Sequence, residues 1–295
     1  IKGALLRLDW GVALLVSMCL IKRQHYKTAA VAMAYASAAR VFPLIFLFGM
    51  GAKPVVAALL KIKRGQLKKL PDFRLLLAQN RRYIEFFVTL LVSAGLLFVL
   101  TLLGRGSIQD WQDFFVKIGL HNDIISTTRV GLKYVLLGPW SFAAKPGAVP
   151  HIRVEAYVLQ AAFVLAALSC VPKLRDYETI AFSFILVFAM TAPTFYYYVV
   201  LVVPLFLFIP RIDKPWRFSG VAAFFLLSLV AYIVYLTGLW GLGEELSFVL
   251  SVLIFALCLF MVVAVSVYGH VVTERDEVPP VASSNRKGWH ANTTW

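Results

Sequence analysis

The sequence predicts an all-α protein: a polytopic transmembrane bundle of about nine membrane segments, two short hairpins among them, with an amphipathic helix on the outer surface. Three observations carry this. From residue 1 to 268 the chain is a series of apolar runs, each closed by a cluster of Lys and Arg. The whole chain is 60% hydrophobic with a mean hydropathy of +0.79, more apolar surface than a soluble domain can bury. The formal net charge of +14 is spread in short clusters between the runs. That is the pattern of positive-inside anchoring rather than of a basic nucleic-acid surface, so the expected partners are membrane lipids and no nucleic acid.

The chain opens on Ile1 and its first residues already read as the approach to a membrane helix, as in the C-terminal part of a longer protein. Residues 83–103, 219–239 and 246–268 each supply about the 20 apolar residues that a spanning helix needs, and 154–171 is slightly shorter. Two runs are too long for one span. Residues 178–209 have Lys173 and Arg175 before them and Arg211, Lys214 and Arg217 after them, so both ends belong on one side. The run must turn back at 191–194, which leaves arms of about 15 residues, or about 22 Å. Such a turn has to be covered by protein or line a wet cavity. Residues 28–60 repeat the arrangement, with the break at Arg40, Val41, Phe42 and Pro43, because Pro43 disfavours helix before it and removes a donor. Lys53 sits awkwardly in the returning arm.

With both hairpins, loops 22–27, 60–82, 172–177 and 210–217 fall on the cytoplasmic side. Asp9, the loop 104–153, the hairpin tips and Glu244 with Glu245 fall on the outer side. Residues 1–272 form the membrane domain, and 273–295 read as a disordered cytoplasmic tail. Cys19, Cys170 and Cys258 lie inside apolar runs and read as small buried residues.

Chemistry is expected at the polar interruptions. Residues 107–122 form an amphipathic pattern, with Ile108, Trp111, Phe115 and Ile118 on one face and Asp110, Asp113, Lys117 and His121 on the other. Such a helix lies in the interface. Its polar face is either solvated or the underside of a lid, and Asp110, Asp113 and His121 could hold a divalent cation; no other cofactor is implied. Arg40 is the sharper signal. A cation inside an apolar run is costly, and it either binds a phosphate through its planar fork or pairs with a carboxylate such as Asp9. Tyr196, Tyr197 and Tyr198 could stack on a sugar or belong to an aromatic belt. Arg129 and Lys133 add positive charge to the outer loop. No Gly-rich phosphate loop, GxSxG or HExxH is present.

Three pieces, in order, resemble the polytopic, polyprenol-phosphate-sugar-dependent glycosyltransferases of the GT-C fold, and among them glycosyltransferase family 87, the bacterial mannosyltransferase-like family. They are residues 29–47 (AAVAMAYASAARVFPLIFL), 111–132 (WQDFFVKIGLHNDIISTTRVGL) and 192–207 (APTFYYYVVLVVPLFL). The resemblance covers about 200 residues, in pattern more than in strict motif. It implies a lipid-phosphate sugar donor, an inverting transfer to a glycan or lipid acceptor, a site on the outer face and a location in the bacterial inner membrane. Arg40 would hold the donor phosphate. Lys117, His121 and Arg129 would complete the phosphate and acceptor site near Asp9, and Tyr196 and Tyr197 would line it. The family's catalytic acid, expected in a first outer loop, has no counterpart here. Three other readings remain: a transporter or flippase of a lipid-linked or small anionic substrate, an O-antigen ligase- or polymerase-like enzyme, and a non-catalytic membrane scaffold.

Overall fold

The computed structural model describes residues 8–63, 78–104, 106–123, 129–138, 152–193, 200–237 and 243–272. Within them the regular structure is helical: α1 Asp9–Lys22, α2 Tyr26–Ala39, α3 Pro43–Phe46, α4 Phe48–Lys63, α5 Arg81–Leu103, α6 Ile108–Asp123 and α7 Leu132–Leu137. There follow α8 Arg153–Cys170, α9 Asp176–Phe182, α10 Phe184–Met190, α11 Leu205–Phe208, α12 Pro215–Thr237 and α13 Gly243–Tyr268. The tail 273–295 lies outside the described residues.

Among the described residues, four stretches are long and apolar enough to cross a membrane: Pro43–Lys63, Arg81–Leu103, Arg153–Lys173 and Ser247–Tyr268. The shortest has 21 residues, which at 1.5 Å per residue matches a hydrocarbon core of about 30 Å. Many of their Leu, Val and Phe side chains stay exposed, as a lipid-facing surface requires. Among the described residues the protein is thus all-helical, with four helices long and apolar enough to cross a membrane; α12, at 23 residues, is as long as these, and the other helices are shorter.

The sequence places one break at Arg40, and there α2 ends: Arg40 is extended, with φ −150° and ψ 135°, and Pro43 opens α3. Proline suits that position because a first-turn residue needs no amide hydrogen. The two arms are unequal. α2 is short, at 14 residues, whereas α3 and α4 together reach membrane-crossing length. α2 is also rich in small residues, and Ala29, Ala30, Ala34 and Ala36 are all fully buried. Small side chains let helix backbones approach closely, and the Ser17 hydroxyl of α1 reaches across to donate to the Ala29 carbonyl at 2.8 Å.

The other break is clearer still. α9 and α10 run from Asp176 to Met190 with a kink at Ser183, and Thr191 leaves the helix in an extended conformation. Every residue of α9 is buried, and so are six of the seven in α10. A half-length helix with an open end is tolerated at membrane depth only under such a cover of protein. The carbonyl of Ala189 at that open end accepts from Gln160 Nε2 of α8 at 3.0 Å. On the side of α4, Gly49 allows the closest approach: a β-carbon there would stand 2.6 Å from the Thr179 carbonyl oxygen. The Gly49 amide donates to Ser183 Oγ at 3.0 Å.

The basic clusters gather at one end of the bundle, here called the basic end. Asp176, only 1% exposed, is its centre. Its carboxylate takes Lys53 Nζ at 2.7 Å, the Tyr83 hydroxyl at 2.7 Å, the Tyr26 hydroxyl at 2.5 Å and Arg82 Nε at 3.4 Å. Lys53 also donates to the Leu174 carbonyl at 2.7 Å. The awkward lysine of the returning arm is thereby explained: it is the buried partner of an aspartate 123 positions along the chain. Beside this group Arg217 bonds Glu178 at 2.9 Å and the Leu207 carbonyl at 2.6 Å. Lys173 reaches the Ser266 carbonyl at 2.6 Å. Of the cysteines, Cys170 and Cys258 are buried as expected. Cys19 is exposed, because its position on α1 points away from α2.

Removing the carboxylate should leave Lys53 buried without its charge partner. Asp176→Ala is expected to cost about 3–5 kcal/mol, the usual penalty for breaking one side of a buried ion pair. A thermal melt in detergent followed by circular dichroism should show a clear drop, and the paired Asp176→Leu, Lys53→Met variant should regain much of it. A melt unchanged by Asp176→Ala would show that the cluster is dispensable.

Candidate functional site

The end remote from the basic clusters holds the polar group that the sequence singled out. Asp9 opens α1, and its carboxylate accepts the Trp10 amide at 2.8 Å and the Tyr35 hydroxyl at 2.6 Å. Arg40, one residue past the end of α2, is half-buried and close enough for its charge to act on that carboxylate. Beneath them the buried Trp10 ring meets Phe42 edge-on, with centroids 4.7 Å apart. Asp9, Tyr35 and Arg40 therefore form one acid–phenol–guanidinium group at the surface, seated on an aromatic pair. Sequence reasoning missed Tyr35. The available signal was that it is the one large side chain with a polar tip between Met33 and Arg40, among Ala and Ser.

α6 folds back on the end of α5. Trp111 stacks obliquely on Phe98 at 5.3 Å, and its Nε1 donates to Thr101 Oγ1 at 3.2 Å. Ile108, Phe115 and Val116 remain exposed and apolar, as an interface helix requires. The polar face differs from the expected lid. Asp110 is consumed by a capping box, accepting from the Ser107 amide at 2.7 Å while the Ser107 hydroxyl accepts the Asp110 amide at 3.1 Å. These bonds hold the Asp110 carboxyl below the usual carboxylate range, with the Lys117 charge adding to the effect. Asp113 accepts from Gln109 within the same helix at 3.0 Å. Lys117 is exposed, and no hydrogen bond or ion pair among the described residues joins it to Asp9 or Arg40. The His121 side chain lies outside the described residues. No group of three His, Cys, Asp or Glu side chains capable of holding a metal is found among the described residues.

Arg129 does not lie on an open loop. It is 6% exposed and begins a segment that enters the bundle. The Val130 amide donates to the Pro193 carbonyl at 3.0 Å, and the Gly131 amide donates to Ser251 Oγ of α13 at 3.1 Å. Leu132 and Tyr134 of α7 are buried against α8, α10 and α13. Part of the interval 104–153 thus packs as protein core, against the open end of α10. Tyr196 and Tyr197 follow closely on Pro193 but lie outside the described residues.

The structure accordingly brings Asp9 to Arg40, and Arg129 to the break after α10, and leaves Lys117 on α6. The class defined by this architecture is a helical membrane protein with a broken, buried half-helix. Compared with known proteins, the chain matches no family model, no curated protein and no solved structure.

Gly131 is the tightest point of this arrangement: a β-carbon there would stand 2.6 Å from the Thr191 carbonyl oxygen, at a φ of +156°. Gly131→Ala should push the 129–131 segment off the 191–193 break. Hydrogen exchange at the Val130 amide is expected to rise roughly tenfold as that local contact loses about 1.4 kcal/mol. Unaltered exchange would show that the contact does not hold the segment in place.

Proposed function

We propose that this chain is a membrane glycosyltransferase of hexosyl type, mannosyltransferase-like, which moves a sugar from a polyprenyl-phosphate donor to a glycan or lipid acceptor on the outer face of the cell membrane. In this reading the chain makes about nine membrane segments. The basic end faces the cytoplasm, as positive residues flanking membrane helices do, and the Asp9–Arg40 end faces outward.

The observation that carries the reading is Arg40, set at a helix break at the end remote from the basic clusters, half-buried and near enough to Asp9 for its charge to act on that carboxylate. A guanidinium there can grip a lipid phosphate bidentately at headgroup level. In transfer, the donor's C1–O bond to phosphate breaks and the acceptor hydroxyl oxygen bonds to C1. The leaving phosphate gains negative charge, which is what a fixed cation stabilises. Asp9 and Tyr35 position Arg40. Arg129, Lys117 and His121 serve the phosphate and acceptor, and Tyr196 and Tyr197 line the sugar. No residue described here is assigned as the base that takes the acceptor proton. The broken helix α9–α10 also suits a transporter of an anionic substrate, since such proteins bind at discontinuous helices. A transporter would move the lipid-linked sugar without consuming it.

Two measurements test this. Arg40→Lys keeps the charge but loses the fork, so it should raise the apparent KM for the lipid donor, and Arg40→Ala should nearly abolish transfer while the protein stays inserted. Unchanged donor kinetics in Arg40→Ala would return Arg40 to a simple partner of Asp9. For orientation, single cysteines at Ser126 and Ser219, in a background lacking Cys19, Cys170 and Cys258, should react differently with an impermeant thiol reagent on intact cells. The first should label and the second should not; the reverse, or equal labelling, would overturn the orientation.

A further inference from the structure

A second polar cavity lies at the basic end, far from Arg40. It has a volume of about 200 Å³ and lies between the turn before α9, the start of α9, the start of α12 and the end of α13. Lys173, Arg211, Lys214 and Arg217 line it, with Glu178 as the one carboxylate among the lining residues. Four cations against one carboxylate leave about three net positive charges in one small space. Asp213, in the same turn, does not line it.

The cavity is built rather than accidental. At its floor Arg217 is 4% exposed, spends its two terminal nitrogens on Glu178 and the Leu207 carbonyl, and has a buried Nε with no hydrogen-bond partner. The bonds to Glu178 and to the Leu207 carbonyl fix that guanidinium in the cavity wall. The Arg217 guanidinium carbon lies 4.7 Å from the centroid of the Trp216 ring, and Trp216 is stacked in turn on Tyr268 at an interplanar angle of 10°. Arg211 and Lys214 are half-buried at the rim and make no ion pair with any described residue. α12 also begins here, at Pro215, so its positive dipole end adds to the field.

The position decides the class of anion. Lys173 and Tyr268 are the last residues of two membrane-crossing stretches, Arg153–Lys173 and Ser247–Tyr268. The cavity therefore sits at the depth of lipid headgroups. Its skirt is apolar and open: Ile209, Ile212, Val267, Tyr268 and Val271 are all substantially exposed. Cations above an exposed apolar skirt match a phosphate that carries acyl chains. Basic pockets between membrane helices are the general form of such sites.

We infer that this cavity binds the phosphate headgroup of an anionic membrane lipid, with Arg217, Arg211, Lys214 and Lys173 around the phosphate and the acyl chains over Tyr268 and Val271. The inference is independent of the glycosyltransferase reading, because it uses neither Arg40 nor the far end of the bundle.

The test is native mass spectrometry of the full chain, delipidated in detergent and titrated separately with phosphatidylglycerol, phosphatidylcholine and inorganic phosphate. The variant is Arg211→Gln with Lys214→Gln, which leaves the Arg217–Glu178 pair untouched. Phosphatidylglycerol should bind the wild-type chain well ahead of phosphatidylcholine. Each cation removed should weaken it about fivefold, or roughly 25-fold for both, if each is worth about 1 kcal/mol near the surface. If the double variant loses its melting transition, Lys214→Gln alone carries the test at about fivefold. Equal binding of the two lipids, or binding unchanged in the variant, would overturn the proposal. Inorganic phosphate binding as tightly as phosphatidylglycerol would overturn the lipid assignment and make the cavity a free-anion site.

Discussion

The buried carboxylate of Asp176 is the constraint on which the bundle depends. A charge at 1% exposure is tolerated only when it is fully partnered. Here the partners come from three separate helices: Tyr26 from α2, Lys53 from α4, and Arg82 with Tyr83 from α5. Each of those helices is thereby set at a fixed height against the start of α9. The apolar contacts above this level are non-directional and would tolerate sliding. Three hydrogen-bond donors and the Arg82 charge converging on two carboxylate oxygens would not.

That register reaches the far end through rigid helices. α2 rises 14 residues from the Asp176 level before ending at Arg40, so its starting height decides where Arg40 emerges. Tyr35 sits on the same helix and bonds Asp9 at the start of α1. One polar knot thus sets the helices at the basic end, and a smaller one, Asp9 with Tyr35 and Arg40, ties α1 to α2 at the other. Between them the close α1–α2 contact relies on alanines, with few side-chain atoms to adjust.

Much of this frame was legible in the sequence. The breaks at Arg40–Pro43 and after Met190 follow from proline chemistry and from runs too long for one span. The shared location of the basic clusters followed from those breaks. Three things were not legible. Lys53 looked like a flaw in a membrane arm because its partner is remote in sequence, and long-range ion pairs leave no local pattern. Asp110 looked like a ligand on a polar face, although the Ser-x-x-Asp spacing from Ser107 was in fact a readable cap. Arg129 looked like a loop charge, yet its segment is drawn inside by Leu132 and Tyr134, whose apolar content was too short a run to register as an element. The nearness of Asp9 to Arg40 was among the alternatives that the sequence allowed, whereas the bond from Tyr35 to Asp9 needed three dimensions.

The enclosure of α9 and α10 has a consequence for how the chain is made. A segment with almost no outward-facing surface gains nothing from lipid, and at half a bilayer's length it is a poor substrate for insertion on its own. Its walls come from both sides of the sequence: α4 is synthesised before it, and α13, whose Phe255 faces Phe188, after it. Packing around α10 is therefore incomplete until α13 is in place. A chain that stops before residue 243 holds α10 with one of its walls uncovered.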